Sequence, residues 1–143
     1  MKRMLVIEDG SEYVAFMRAF FAETCACDEA HDAEQALEKA SAAEVFLVDL
    51  RFERAPSAAL LGDLEQIAQQ LFGGDRARAE RHRQDQQGTY ILRALRAAGH
   101  LQRAIFVHDF SARRLENLRT LYGDVRAASS FDVTMIRALL ESP

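Results

Sequence analysis

At 143 residues the chain has the length of one domain, and its 49% hydrophobic content supports a single core. With 28% charged residues it is too ordinary for extended disorder, and no apolar run reaches the length of a membrane span. Eighteen basic against twenty-two acidic residues give a net charge of −4, which argues against a general nucleic-acid binder.

Met1-Lys2-Arg3 and the four apolar residues after it are too short for a signal peptide. Met4–Ile7 reads as a first strand, running into Glu8-Asp9-Gly10. Ser11 is placed to cap a helix whose apolar face is Tyr13, Phe16, Met17, Phe20 and Phe21, all assigned to the core. Thr24–Ala30 is a weak second strand. Its Cys25 and Cys27 would face opposite sides, so free thiols and a reducing, cytoplasmic setting are expected. Asp32 caps a second helix with Ala33, Ala36, Leu37 and Ala40 inward. Val45-Phe46-Leu47-Val48 is the central strand and delivers Asp49 at its end.

The strand–helix alternation predicts an α/β fold with a parallel sheet. It is then interrupted by roughly forty residues before the next helix, Thr89–Ala98, where about 2–6 are usual. Leu60, Leu61, Leu64, Ile67, Ala68, Leu71 and Phe72 keep a helical stripe there, stopped by Gly73-Gly74. Residues 75–87, mixed in charge and poor in apolar side chains, read as a solvated loop or a second polar helix. Beyond them come a strand at Ala104–Val107, a helix capped by Ser111, a weak strand at Val125–Ala128, and a last helix opened by Phe131-Asp132.

Two strand ends thus supply three acids, Glu8, Asp9 and Asp49, to one edge of the sheet. A single acid in such a place usually caps a turn; three in this register predict a cation-binding mouth. With five βα units these residues resemble the receiver domain of bacterial two-component response regulators. The resemblance rests on Leu5–Gly10, Glu29–Leu37 and Val45–Asp49, and spans the chain apart from an insertion at about 53–87. It implies a flavodoxin-like (βα)5 three-layer sandwich with sheet order 2-1-3-4-5 and the site beyond the carboxyl ends of the strands. It further implies that Glu8 and Asp9 hold Mg²⁺ together with Asp49 and the backbone carbonyl of Arg51, and that Asp49 accepts a phosphoryl group.

The same resemblance exposes departures. His108 falls where the family places a Thr or Ser, Ser129 where it places a Lys, and Arg126 where it has an aromatic switch. No lysine follows Lys39. Arg76, Arg78, Arg81 or Arg83 of the insertion, or a protonated His108, are candidate replacements for the missing cation; otherwise the arginines pair with Asp75, Glu80 and Asp85 on a solvated face. The reading is therefore an atypical, stand-alone receiver-like module with no output domain of its own. It would take a histidine kinase and a downstream effector as protein partners. They would dock on the helix 4–strand 5–helix 5 face, where Arg113, Arg114, Arg119, Tyr122, Arg126 and Arg137 make a basic surface for an acidic partner, or on the insertion helix. The alternative is a Mg²⁺-dependent phosphatase or phosphotransferase. Against it stand the absence of an Asp-x-Asp-x-Thr/Ser run after the first strand and the absence of a glycine-rich phosphate loop.

Overall fold

Apolar runs with side chains on both faces can be buried only in the middle of a layered fold. The computed structural model, which describes residues 1–143, places them there. Strands β1 (Lys2–Ile7), β2 (Cys25–Ala30), β3 (Val45–Val48), β4 (Arg103–Val107) and β5 (Val125–Ala128) form one parallel sheet in the order β2-β1-β3-β4-β5. Alternate residues serve opposite faces. Leu5, Ile7, Phe46, Val48, Ala104 and Phe106 pack under α2 (Ala33–Lys39), α5 (Gln87–Ala97) and α6 (Ala112–Tyr122). Met4, Val6, Val45, Leu47, Ile105 and Val107 pack under α1 (Glu12–Phe20) and α7 (Val133–Glu141). Each fully buried Leu, Ile, Val or Phe contributes roughly 1.5–3 kcal/mol. This is the three-layer α/β architecture, with the expected strand order.

Asp32, Ser111 and Asp132 cap their helices through the side chain, accepting from the N–H groups of Gln35, Arg114 and Met135. Ser11 does not; it flanks α1 without a side-chain cap bond. Two apolar assignments fail. Phe20 is 58% exposed, because α1 turns it past the sheet edge while Phe21, just beyond the helix, takes the buried position; Leu37 also lies at the surface.

The segment between β3 and α5 is ordered by buried polar groups as much as by apolar ones. It contains α3 (Leu64–Leu71) and a second, polar helix, α4 (Arg76–Asp85). Ile67, Ala68 and Ala79 form a small core of their own, joined by Leu64, Phe72 and Tyr90, while Leu71 points to solvent. Leu60 and Phe52 belong to the main core, and the Phe52 N–H donates to the Gln84 carbonyl at 2.8 Å. Buried Gln87 accepts from the Leu61 N–H (2.8 Å) and donates to the Leu61 carbonyl (3.1 Å), fastening the loop to α5.

Arg83, 8% exposed, donates to the Gly62 carbonyl (3.0 Å), the Ser57 hydroxyl (2.8 Å) and Glu80 (3.0 Å). Residues 75–87 are therefore the polar helix of the two alternatives, and its key arginine is interior rather than solvated. Removing one partner of a buried, hydrogen-bonded ion pair leaves the other charge stranded. Arg83→Ala is expected to cost about 3 kcal/mol, seen as a lower urea midpoint, whereas Arg81→Ala at an exposed position should change stability by less than about 0.5 kcal/mol.

Candidate functional site

The strand ends fix the acids before any side chain acts. The Glu8 N–H donates to the Ala30 carbonyl at 3.0 Å and the Asp49 N–H to the Ile7 carbonyl at 2.9 Å, so both residues continue the sheet's hydrogen bonding by one step. Behind Asp49 stands Gly88 of α5, whose N–H donates to the Leu50 carbonyl at 2.9 Å. A Cβ at Gly88 would run into the Asp49 carbonyl oxygen and the Leu50 Cα. The helix thus lies against the backbone that carries the acid.

The three acids differ in what they bind. Glu8, 1% exposed, accepts from the Tyr13 N–H (3.2 Å) and the Val14 N–H (2.9 Å), two amides of the first turn of α1. Burial raises its pKa, and those two bonds partly offset the rise. Asp9 accepts from the Arg54 N–H at 2.5 Å. Asp49 is half-buried, and burial above all pushes its carboxyl up to about 7; the Arg51 N–H opposes this, while the charges of Asp9 and Glu8 add to it. The acids are therefore close enough to repel one another. No three Asp, Glu, His or Cys side chains are arranged as a ready metal site, because Glu8 faces the helix amides rather than the opening.

The cations named from the sequence lie elsewhere. Arg76 pairs with Glu65 at 2.9 Å, Arg83 is interior, and Arg78 sits over the Phe72 ring. Lys2 donates to the Leu140 carbonyl and Lys39 to Asp28 and the Glu29 carbonyl. Burial and then the Arg51 charge lower the His108 pKa, with Asp109 opposing and Arg114 adding to the fall. Ser129, at the position matching the family lysine, donates its hydroxyl to Asp109, tying the loop after β5 to the loop after β4 rather than to Asp49. Arg126 pairs with Asp124 at 3.0 Å.

Two residues at the mouth escaped sequence reasoning. Arg54 pairs with Glu12 at 2.6 Å, and the charges of Asp9 and Glu8 also raise its pKa. Gly10 makes space for this pair: a Cβ there would meet both side chains. The only signal in the sequence was an arginine five positions beyond the central acid. Tyr13, read as core, is partly buried against it and also shares a hydroxyl bond with Ser130 at 2.9 Å and stacks on Phe131 at 5.1 Å. Burial first, then the negative charges of Asp49, Glu8 and Glu12, raise its pKa. Phe131 occupies the left-handed region at φ 61°, a strained place for an aromatic residue that the Tyr13 and Phe16 rings hold in position.

The basic face is smaller than the sequence suggests. Arg119 is engaged with the Val125 carbonyl, and Arg137 lies over the Phe21 ring, toward α1 rather than α6. Both cysteines are free thiols, and burial pushes Cys27 up to about 11. No helix is long and apolar enough to cross a membrane.

Known structures place this architecture. The receiver domain of Francisella response regulator 1452 is 16% identical, with a TM-score of 0.58 over 98% of this chain and 95% of its own. The response regulator TrrA of Thermotoga maritima, solved with Mg²⁺ and BeF, is 15% identical, with a TM-score of 0.61 over 99% and 97%. The fold is that of a receiver domain. A Burkholderia pseudomallei response regulator carrying a phosphorylated aspartic acid, a calcium ion and citrate has the same receiver fold; it is 18% identical, with a TM-score of 0.62 over 99% of this chain and 68% of its own. No protein-family model and no curated protein matches the sequence. Between β3 and α5 the chain carries a short 3-10 turn at Ser57–Ala59 and the helices α3 and α4.

Proposed function

We propose that the chain is a non-catalytic signalling module that acts through protein contacts, with Asp49 as its phospho-acceptor. The observation that carries this reading is the state of Asp49. It is a half-buried carboxyl at the end of the central strand, pushed up to about 7, with acids around it and no cation of the chain paired to it. Mg²⁺ suits one or two carboxylates, a carbonyl and water. Asp9, Asp49 and the Arg51 carbonyl would hold it, with Glu8 contributing charge from its place against the first turn of α1. When bound, such a cation neutralises the repelling acids and screens an incoming phosphoryl group.

An Asp49 oxygen then attacks phosphorus and an acyl phosphate remains, as the bond from phosphorus to the donor's leaving atom breaks, an imidazole nitrogen for a histidine kinase or an oxygen for acetyl phosphate. The response that follows differs from the ordinary one. Ser129 is turned to Asp109 and carries no charge, and His108 has no hydroxyl, so a charge-assisted contact typically worth about 1.5–3 kcal/mol is missing. The phosphoryl donor on this reading is a histidine kinase. The effector docks on the α6–β5–α7 face, through Arg113, Tyr122 and Arg126, or on α3 of the insertion.

Acetyl phosphate with Mg²⁺, followed by intact-mass spectrometry, tests the proposal. One phosphoryl increment is expected on the wild type, none on Asp49→Ala, and less on Asp9→Ala. No turnover of a generic phosphate ester is expected. An increment that persists in Asp49→Ala, or none on the wild type at saturating donor, would remove Asp49 from the role.

A further inference from the structure

Helix α4 forms one wall of a cleft outside the acidic mouth. It lies between the C-terminal end of α4, the outer face of α5 and α6, with a volume of about 230 Å³. Arg93 of α5 and Arg114 of α6 both line it, together with His82, Tyr90 and Tyr122. No carboxylate lines it. Neither arginine has an acidic partner: Arg114 donates to Gln86 at 3.0 Å and rests over the Phe110 ring, and Arg93 makes no hydrogen bond or ion pair.

Most arginines in this acidic protein are otherwise occupied, so two guanidiniums without an acidic partner in one concavity make a positive site. The phenols add donors. Burial raises the pKa of Tyr90, Arg93 and Arg83 lower it, and Tyr122 raises it again, which places the two phenols and the Arg93 charge in one field. The His82 ring meets Phe72 at 5.6 Å and Tyr90 at 6.4 Å, so the wall from α4 is held by edge-on aromatic packing. A second hollow of about 390 Å³ adjoins the first, shares Tyr90 and Arg93 with it, and is lined by Leu61, Ile67 and Ala94, by the Gln66 and Gln70 amides, and by Asp63, whose carboxylate accepts from the Gln66 N–H.

We propose that this cleft binds a phosphate-bearing small molecule, with the phosphate held by Arg93 and Arg114 and the remainder lying across Tyr90 into the adjoining hollow. Phosphate matches the site better than a carboxylate does. Two guanidinium forks and the hydroxyls of Tyr90 and Tyr122 offer more donors than two oxygens can accept. An aromatic ring at the junction suits a nucleoside, whose base stacks while the adjoining amides meet its polar edge. The site is independent of Asp49, and its occupancy would report a metabolite through the insertion and not through the acidic mouth.

Titration calorimetry of the full chain with adenosine monophosphate, inorganic phosphate and adenosine tests this. Adenosine monophosphate should give saturable heat, inorganic phosphate should compete with it, and adenosine alone should give none. Arg93→Ala and Arg114→Ala should each weaken binding about tenfold or more, with unchanged melting temperature, while Arg81→Ala, outside the cleft, leaves it unaltered. Saturable binding of inorganic phosphate without the nucleotide would support the site and narrow its ligand to the free anion. No saturable heat from either phosphate compound at roughly 10 mM, or equal weakening by Arg81→Ala, would overturn it.

Discussion

Gly88→Ala is expected to destabilise the protein by about 3 kcal/mol or more and to abolish any acceptor chemistry at Asp49. Glycine is required here for space, since a methyl group would meet the Asp49 carbonyl oxygen and the Leu50 Cα, both backbone atoms that no rotamer change can move. Relief would need α5 to shift from the sheet, which breaks the Gly88 to Leu50 hydrogen bond and uncovers Ile91, Leu92 and Leu95. Gly73→Ala is the matched control. Its φ of 58° makes alanine unfavourable, but nothing lies near a Cβ there, so only about 1 kcal/mol is expected. Urea denaturation of both variants checks the comparison; equal losses would mean that the close approach of α5 does not position Asp49.

Asp49→Asn should stabilise the protein above neutral pH in metal-free buffer, by about 2 kcal/mol. The carboxyl titrates near 7 in the folded chain against an ordinary value of 3.8. A raised folded value means that the neutral form is favoured by folding. Its contribution is complete below about pH 4 and disappears as pH climbs through about 7. The full linkage for a rise of about three pKa units is about 4 kcal/mol, and the solvent access of a half-buried group reduces it to about half. The difference in unfolding free energy between wild type and variant should therefore widen from pH 5 to pH 8. Adding Mg²⁺ at pH 8 should narrow it by stabilising the wild type alone. Parallel pH profiles for the two proteins would show that Asp49 is not the strained acid of the fold.

The core of this fold was legible from residues whose role does not depend on distant partners. Val45–Val48 reads as a doubly buried strand from its own composition, and Asp32, Ser111 and Asp132 announce helix starts by local hydrogen-bonding chemistry. The acidic trio was legible in position but not in orientation. Whether Glu8 faces the opening or the first turn of α1 depends on two amides whose location is set only after α1 packs. Phe20 and Phe21 are equally apolar neighbours, so helical periodicity cannot say which one the sheet edge will cover.

The stretch between β3 and α5 marks the boundary most clearly. Its composition establishes a helical stripe, a double-glycine stop and a charged run after it. Charge alone then suggests arginines at the surface or over the acids, because a sequence carries no measure of burial for a long side chain. Arg83 goes inward since Gly62, Ser57 and Glu80 together satisfy its fork, three partners separated by up to twenty-six positions. Arg54 reaches the mouth for a comparable reason: Asp9 anchors its backbone while Glu12 takes its guanidinium. The chain's own letters thus determined the layers, the strand ends and the acids they carry, since apolar spacing acts locally. Only the folded arrangement decided which cation meets which acid, because that choice depends on distances between segments far apart along the chain.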